Sequence, residues 1–298
     1  MKIDKSVTWR RVAPQSLKLE GLRVAIIGGT GGIGRGLSRF LASRGAAVTV
    51  VGQTFRDSGI SGIDFIKADL SLMREAKRVG ERLPAETLDL VIFTTGIFAA
   101  PKRQETPEGI ERDMAVSYLS RMVIIREMGA RLGKKRPDSA PKPRVFVWGF
   151  PGTGQAGTID DLNAEKSYGV ISAHMNGIAG NEVLVLDSAK RYPNANFFGL
   201  NPGAVQTGIR RNLFGAHTVL FRLAEALIGL FSPNVSTYVE RIAPLLVSPD
   251  LEQHSGAMFN KKGQAILPTP KLTDISYEKE FMAASEKLVS RAKVQLAS

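Results

Sequence analysis

The chain has 298 residues, of which 43% are hydrophobic, and this suffices to bury the core of one large α/β domain or at most two small ones. It contains no cysteine, which excludes disulfide bonds, cysteine metal sites and cysteine nucleophiles, and its three histidines are too scattered to suggest a metal site. The net charge of +12 comes from 40 basic and 28 acidic residues that accompany no nucleic-acid-binding motif, so we expect no nucleic-acid partner.

The N-terminal residues, 1–20, form a basic arm without the apolar run of a secretory signal. We expect this arm to pack on, or to trail from, a single domain formed by residues 21–298. An apolar-rich stretch at 213–231 is broken by His217, Arg222 and Glu225 and is too polar for a membrane span. We therefore interpret it as an amphipathic helix and expect a cytoplasmic protein, with peripheral membrane contact as the alternative.

Strand-like apolar runs alternate with amphipathic helical segments along almost the whole chain. The predicted strands cover residues 22–27, 47–51, 64–67, 88–94, 144–148, 195–200 and 256–260. The first predicted helix follows the glycines at 28–34 and ends before Gly45, and later helices cover 71–83, 108–132, 172–190, most of 209–247 and 276–293. This alternation predicts a single-domain α/β protein with a Rossmann-type doubly wound parallel sheet in a three-layer α/β/α arrangement. Ligands of such sheets bind beyond the carboxyl ends of the strands.

A glycine-rich turn, Gly28-Gly29-Thr30-Gly31-Gly32-Ile33-Gly34, lies between the first strand and the first helix. Glycines at this point permit a tight turn, close approach of the backbone to a diphosphate, and close packing of helix on strand. The N-terminus of the helix then presents free N–H groups to the phosphates. The turn predicts a dinucleotide site, whereas a purely structural turn is the alternative.

The spacing Gly28-x-x-x-Gly32-x-Gly34 resembles that of the short-chain dehydrogenase/reductase family. Further similar segments follow in order along the chain: Asp69-Leu70, Thr94-Thr95-Gly96, and Pro202-Gly203-Ala204-Val205-Gln206-Thr207. Residues 160–168 and 255–259 resemble the retinol-dehydrogenase-like subgroup. The resemblance implies a nicotinamide cofactor held by Gly28, Thr30, Gly31, Gly32, Ile33, Gly34, Gln53, Arg56, Asp69, Leu70, Thr94, Thr95, Gly96, Pro202, Gly203, Val205 and Thr207.

The end of the second strand bears on the choice between NAD and NADP. An acid there would bind the adenosine ribose hydroxyls, but neither Gly52 nor Gln53 is acidic, and Asp57 lies further along. Arg35 and Arg56 could instead approach a 2′-phosphate, although either arginine could equally be a solvated surface charge. We expect NADP, with NAD as the alternative.

The catalytic positions that the resemblance implies are altered. The family uses a tyrosine as acid/base, a lysine four residues later, a serine and an asparagine, but no Tyr-x-x-x-Lys occurs in this chain. An ungapped alignment from Asp160 places His174 at the tyrosine position and Ile178 at the lysine position. The serine position falls on Gly149 or Phe150, and the asparagine position falls on Ser117.

Three residues remain candidates for catalysis. His174 could donate a proton, because imidazole titrates near neutrality, or it could be a hydrogen-bonded structural histidine. Ser117 could keep one hydrogen bond of the replaced asparagine. Tyr168 could act as a substitute acid, or it could pack in a loop.

The resemblance implies that the helical segment predicted at about 208–247 covers the bound substrate, and we call it the helical cover. It is rich in Leu and Phe, which favours a small lipophilic substrate, a subunit interface or plain core. The resemblance also implies a homo-oligomer. Three functions stay open: an oxidoreductase acting on a lipophilic carbonyl or alcohol, a non-redox isomerase, dehydratase or cyclase, and a catalytically silent cofactor-binding protein.

Overall fold

The computed structural model describes residues 1–203, 205 and 234–297. Its centre is an eight-stranded sheet in the order β3-β2-β1-β4-β5-β6-β7-β8. The strands are β1 Arg23–Ile27, β2 Ala47–Gly52, β3 Ile63–Lys67, β4 Leu90–Phe93, β5 Arg144–Trp148, β6 Asn196–Leu200, β7 Met258–Phe259 and β8 Ala265–Ile266. Every neighbouring pair is parallel except β7 and β8, which are antiparallel.

Helices of the described residues cover both faces of this sheet. They are α1 Gly32–Ser43, α2 Met73–Arg82, α3 Arg112–Met114, α4 Ser120–Met128, α5 Val170–Arg191, α6 Val235–Leu246 and α7 Ile275–Arg291. A π-helical turn at Ala115–Leu119 joins α3 to α4. The predicted three-layer α/β/α fold with a doubly wound sheet is confirmed.

Two apolar cores lie on opposite faces of the sheet, because successive side chains of a strand point in opposite directions. Phe197 packs on one face with Tyr118 and helices α2, α4, α5 and α7, whereas the adjacent Phe198 packs on the other with Phe146, α1 and α6. Both faces of the central strands are buried, which explains their nearly continuous apolar sequences.

The sheet order places a switch point at the centre of the molecule. The chain leaves β1 for β2 and β3 on one side, and then returns to β4 on the other side of β1. The loops that follow β1 and β4 therefore diverge and leave a crevice at the carboxyl ends of the strands.

Several predicted boundaries differ from the structure. The helix predicted at 108–132 begins only at Arg112 and contains the π-helical turn, and β8 was not predicted because its two residues are too few to show periodicity. Of the helical cover at about 208–247, residues 208–233 lie outside the described part, and Val235–Leu246 is helical.

The basic arm packs along the short antiparallel end of the sheet. The Asp4 N–H donates to the Ala265 carbonyl at 2.9 Å, and the Trp9 indole donates to the Gly263 carbonyl at 2.6 Å. Within the described residues, no helix combines the length and the apolar character needed to cross a membrane.

Phe198→Ala should lower the free energy of unfolding by about 3–5 kcal/mol, because Phe198 is fully buried between Phe146 and Phe259 and truncation leaves a cavity. Ile171, which is 60% exposed, is the control, and Ile171→Ala should change the value by no more than about 0.5 kcal/mol. Urea unfolding followed by circular dichroism measures both, and equal effects would contradict this description of the core.

Candidate active site

A cavity of about 640 Å³ occupies the crevice at the carboxyl ends of the strands. Most of the predicted cofactor residues line it: Gly28, Thr30, Gly31, Gly32, Ile33, Gln53, Arg56, Asp69, Leu70, Thr94, Thr95, Gly96 and Pro202. The predicted catalytic residues His174 and Ser117 line it too, as do Gly149, Phe150 and Ile178. The fold thus gathers one site from segments that are distant in sequence.

The glycine-rich turn is packed so tightly that side chains cannot replace two of its glycines. Gly28 has φ 94°, and a Cβ atom there would lie 2.4 Å from the Thr95 nitrogen. A Cβ atom on Gly34 would lie 2.4 Å from the Gly28 carbonyl oxygen. These two glycines hold α1 against the end of β4.

The opposite side of the turn is open. Gly31 is the N-cap of α1 and forms no side-chain cap, and a Cβ atom on Gly31 would meet nothing within 4 Å. The free N–H groups at the start of α1 therefore lie beside empty space in the cavity, as a diphosphate requires. The buried Thr95 hydroxyl, which also lines the cavity, has no hydrogen-bond partner in the described part of the chain. An open cradle and an unpaired hydroxyl fit a polar dinucleotide.

Asp69 anchors the end of the cavity that faces β2 and β3. Its carboxylate accepts hydrogen bonds from the Ser71 backbone at 3.0 Å and from the Ser71 hydroxyl at 2.7 Å. Burial raises the pKa of Asp69, but the hydrogen bonds from Ser71 and Gln53 outweigh it and hold the pKa below its usual value. Asp69 is therefore an ionised acceptor in a fixed position.

Arg35 and Arg56 differ in their surroundings. Arg35 forms a bidentate pair with the buried Asp57, with Nη2 at 2.7 Å from Oδ1 and Nε at 2.9 Å from Oδ2, and it does not line the cavity. The expectation that Arg35 approaches a ribose phosphate conflicts with this pairing, because Asp57 already engages its guanidinium. Arg56 is exposed and lines the cavity beside Gln53.

His174 is held by a carboxylate from a neighbouring helix. Its Nδ1 lies 2.6 Å from Oδ2 of Asp113, and its ring stacks on Phe98 with centroids 4.1 Å apart. The Ser117 hydroxyl donates to the other Asp113 oxygen and accepts from the Ile97 N–H at 3.0 Å. Asp113 is almost fully buried behind the wall, whereas His174, with its side chain 11% exposed, and Ser117 line the cavity.

A π-helical turn spans Ala115–Leu119 and includes Ser117. Asp113 and Ser117 are four positions apart, a spacing that puts their side chains on one face of the helix. π-Helical turns frequently occur at functional sites.

Arg121 lies at the base of the cavity between β4 and β5. It donates hydrogen bonds to the carbonyls of Thr95 and Trp148 and, at 2.8 Å, to Oδ1 of Asn181. Its buried Nε has no partner in the described part of the chain. Burial lowers the pKa of Arg121 to about 9, and the charge of Asp113 opposes this only in part.

Some predicted site residues lie outside the cavity wall. The Tyr168 hydroxyl donates to the Ala100 carbonyl, an arrangement that gives it a packing role in its loop. Gly34 lies beneath the turn, Gly203 has φ 62°, and Val205 is buried in the apolar core. Thr207 lies outside the described residues.

Sequence reasoning missed Asp113, Arg121 and Arg112, which line or support the cavity. Asp113 precedes Ser117 by four residues, a spacing that could have indicated one helix face. Nothing in the sequence indicated that His174, 61 positions away, would meet it.

Comparison with known proteins agrees with this architecture. The chain is 50% identical over 295 residues to the uncharacterized oxidoreductase YKL107W of Saccharomyces cerevisiae, covering 98% of this chain and 95% of that protein. It is 28% identical to human retinol dehydrogenase 12 over 265 residues, covering 84% and 80%. No family model matches the chain.

Solved structures share the fold. A putative uncharacterized protein from Mycobacterium paratuberculosis superimposes with a TM-score of 0.68 at 19% identity, covering 94% of this chain and 97% of that one. A putative short chain dehydrogenase from Pseudomonas syringae gives a TM-score of 0.60 at 17% identity, covering 85% and 98%. The chain belongs to the short-chain dehydrogenase/reductase family and is an oxidoreductase.

Gly31→Ala should weaken binding of a nicotinamide dinucleotide by about tenfold or more, an effect that needs only about 1.4 kcal/mol of lost contact. The new methyl group would enter the open cradle without touching the protein, and φ at Gly31 is −159°, so the melting temperature should not change. Calorimetric titration and thermal unfolding measure the two quantities.

Gly34→Ala is the matched comparison, because its methyl group would instead collide with the Gly28 carbonyl. This variant should lose about 1–3 kcal/mol of stability. Wild-type affinity in Gly31→Ala would show that the diphosphate does not use this cradle.

Proposed function

We propose that the protein transfers hydride between NADP(H) and the carbonyl or alcohol carbon of a small lipophilic substrate, with His174 as proton donor and acceptor. The contact of 2.6 Å between His174 and the buried Asp113 in the cavity wall carries this proposal. When bound, the dinucleotide supplies or accepts the hydride. The remaining chemistry belongs to the residues of the chain.

A carboxylate beside Nδ1 fixes the proton on that nitrogen and leaves Nε2 to exchange a proton with the substrate oxygen. No described residue hydrogen-bonds Nε2 of His174. In the reductive direction, the carbonyl carbon gains a hydride and its oxygen takes the proton from Nε2. The Asp113 carboxylate stabilises the imidazolium before that transfer, and solvent restores the proton.

Ser117 acts as a positioning residue in this scheme. Its hydroxyl bridges Asp113 and the backbone of Ile97, so it fixes the carboxylate relative to the loop after β4. Ser117 therefore keeps a hydrogen bond at the position where the family pattern has asparagine, but directs it toward the acid that supports the histidine.

Apolar side chains near His174 support a lipophilic substrate. Val116, Phe150 and Ile178 line the cavity together with the histidine. Ile178 adds apolar surface without charge, so a neutral carbonyl with an apolar body would fit better than a sugar or an acid. The name of retinol dehydrogenase 12 also refers to a lipophilic alcohol.

Arg56 supports NADP over NAD. It lines the cavity at the end of β2, whereas Asp57, the first acid after that strand, is paired with Arg35. A guanidinium without a carboxylate partner in the described residues suits the 2′-phosphate of NADP. NAD is the alternative cofactor.

His174→Gln should lower kcat by roughly 10²–10⁴-fold, the usual contribution of a general acid, and leave dinucleotide affinity within about twofold of wild type. Oxidation of NADPH by a panel of lipophilic ketones and aldehydes, followed by its absorbance, measures turnover. Asp113→Asn should give a smaller loss, because the ring remains but its tautomer is no longer fixed. Full activity in His174→Gln would remove the histidine from the mechanism.

Arg56→Gln should raise KM for NADPH by about tenfold and leave KM for NADH nearly unchanged, because only NADPH carries the 2′-phosphate. Arg35→Gln is the control, since Arg35 is paired with Asp57 outside the cavity, and its ratio of the two KM values should match wild type. If Arg56→Gln leaves the ratio of KM for NADPH to KM for NADH unaltered, that result would favour NAD.

A further inference from the structure

Two buried arginines on α4 differ in how their charges are neutralised. Arg126 has Nη1 at 2.8 Å from Asp187 and Nη2 at 3.1 Å from Glu286. Burial lowers the pKa of Arg126, but Asp187 and, to a lesser extent, Tyr192 outweigh it and raise the pKa above its usual value. Arg126 is a structural charge in an ion-pair network.

Arg121, five positions earlier on the same helix, has neutral partners instead. All three of its hydrogen-bond acceptors are uncharged, being two backbone carbonyls and the amide oxygen of Asn181. No carboxylate of the described residues forms an ion pair with it. The carboxylate whose charge affects the pKa of Arg121 is Asp113, and Asp113 is already bonded to His174 and Ser117. Its positive charge is therefore only partly offset.

The position of this charge is fixed relative to the reaction site. The guanidinium joins Thr95, after β4, to Trp148, at the end of β5, and its third partner Asn181 lies on the helix that carries His174. Arg121 lines the same cavity as these residues. If His174 protonates the substrate, then the reacting end of the dinucleotide lies in the field of Arg121.

We propose that Arg121 is a fixed positive charge that makes the cavity prefer the reduced dinucleotide over the oxidised one, so that the enzyme favours carbonyl reduction. This inference rests on the proposed function. The two cofactor forms carry the same phosphates and differ by one positive charge on the nicotinamide ring, which is present only in the oxidised form. A cation held in a low-dielectric wall repels that ring and leaves the neutral reduced ring unaffected.

The same charge acts on the substrate. Negative charge develops on the carbonyl oxygen as hydride arrives, and a preorganised cation stabilises it without reorganisation of the site. Ile178 lines the same cavity and supplies no charge, so in this scheme Arg121 and the protonated His174 supply the positive charge for the reaction.

The test compares dissociation constants of NADPH and NADP⁺, and of NADH and NAD⁺, by calorimetry on the full chain. Wild type should bind each reduced form about tenfold more tightly than its oxidised form, a preference of about 1.4 kcal/mol. Arg121→Met should bring the ratio close to one.

Arg121→Lys separates the effect of the positive charge from that of the guanidinium hydrogen bonds, because lysine keeps the charge but loses the planar guanidinium group. The ratio of the dissociation constants of the oxidised and reduced dinucleotides should therefore remain near that of wild type. Arg126→Met is the matched control for removing a buried arginine of α4 and should lower stability without changing the ratio. If Arg121→Met does not fold, Arg121→Gln replaces it, since its amide can still donate to the carbonyls.

The outcomes are distinguishable. Equal affinities of wild type for both forms, or an unchanged ratio in the neutral Arg121 variants, would overturn this inference and leave the proposed function intact. Absence of binding of any of the four dinucleotides would overturn both.

Discussion

The packing of the glycine-rich turn against the end of β4 is the constraint on which the site depends. Gly28 and Gly34 bring the backbone of the turn into contact with Thr94 and Thr95, closer than any side chain would permit. This packing directs the N-terminus of α1 toward the cavity and fixes the loop after β4, which donates a hydrogen bond to Ser117 and accepts one from Arg121. Cofactor cradle and catalytic groups are therefore parts of one rigid arrangement.

The altered catalytic set forms a connected group in this arrangement. The ungapped alignment puts His174 at the tyrosine position of the family pattern, and in the structure Asp113 contacts its ring while Ser117 bonds Asp113. Arg121, four residues after Ser117, lines the same cavity, and so does the apolar Ile178. In the proposed function, His174 supplies the proton and Arg121 supplies a positive charge.

The sequence predicted the fold, and many residues that line the cavity, because both depend on local patterns. Buried parallel strands such as β4 and β5 are continuous apolar runs, and the turn after β1 needs glycines at fixed positions. The residues around His174 were harder to predict, because the contact between Asp113 and His174 joins residues 61 positions apart. Arg121 resembled any helix arginine, and only its burial among neutral acceptors distinguishes it from Arg126.

Whether a dinucleotide occupies the cavity beside His174 can be measured by nuclear magnetic resonance titration of ¹⁵N-histidine-labelled protein with NADPH, with the His174 signals assigned by comparison with His174→Gln. NADPH should shift the ring nitrogen signals of His174, which lines the cavity, and leave those of His254, which does not line it, unchanged. His174 signals that stay unmoved at saturating NADPH would show that the dinucleotide binds elsewhere.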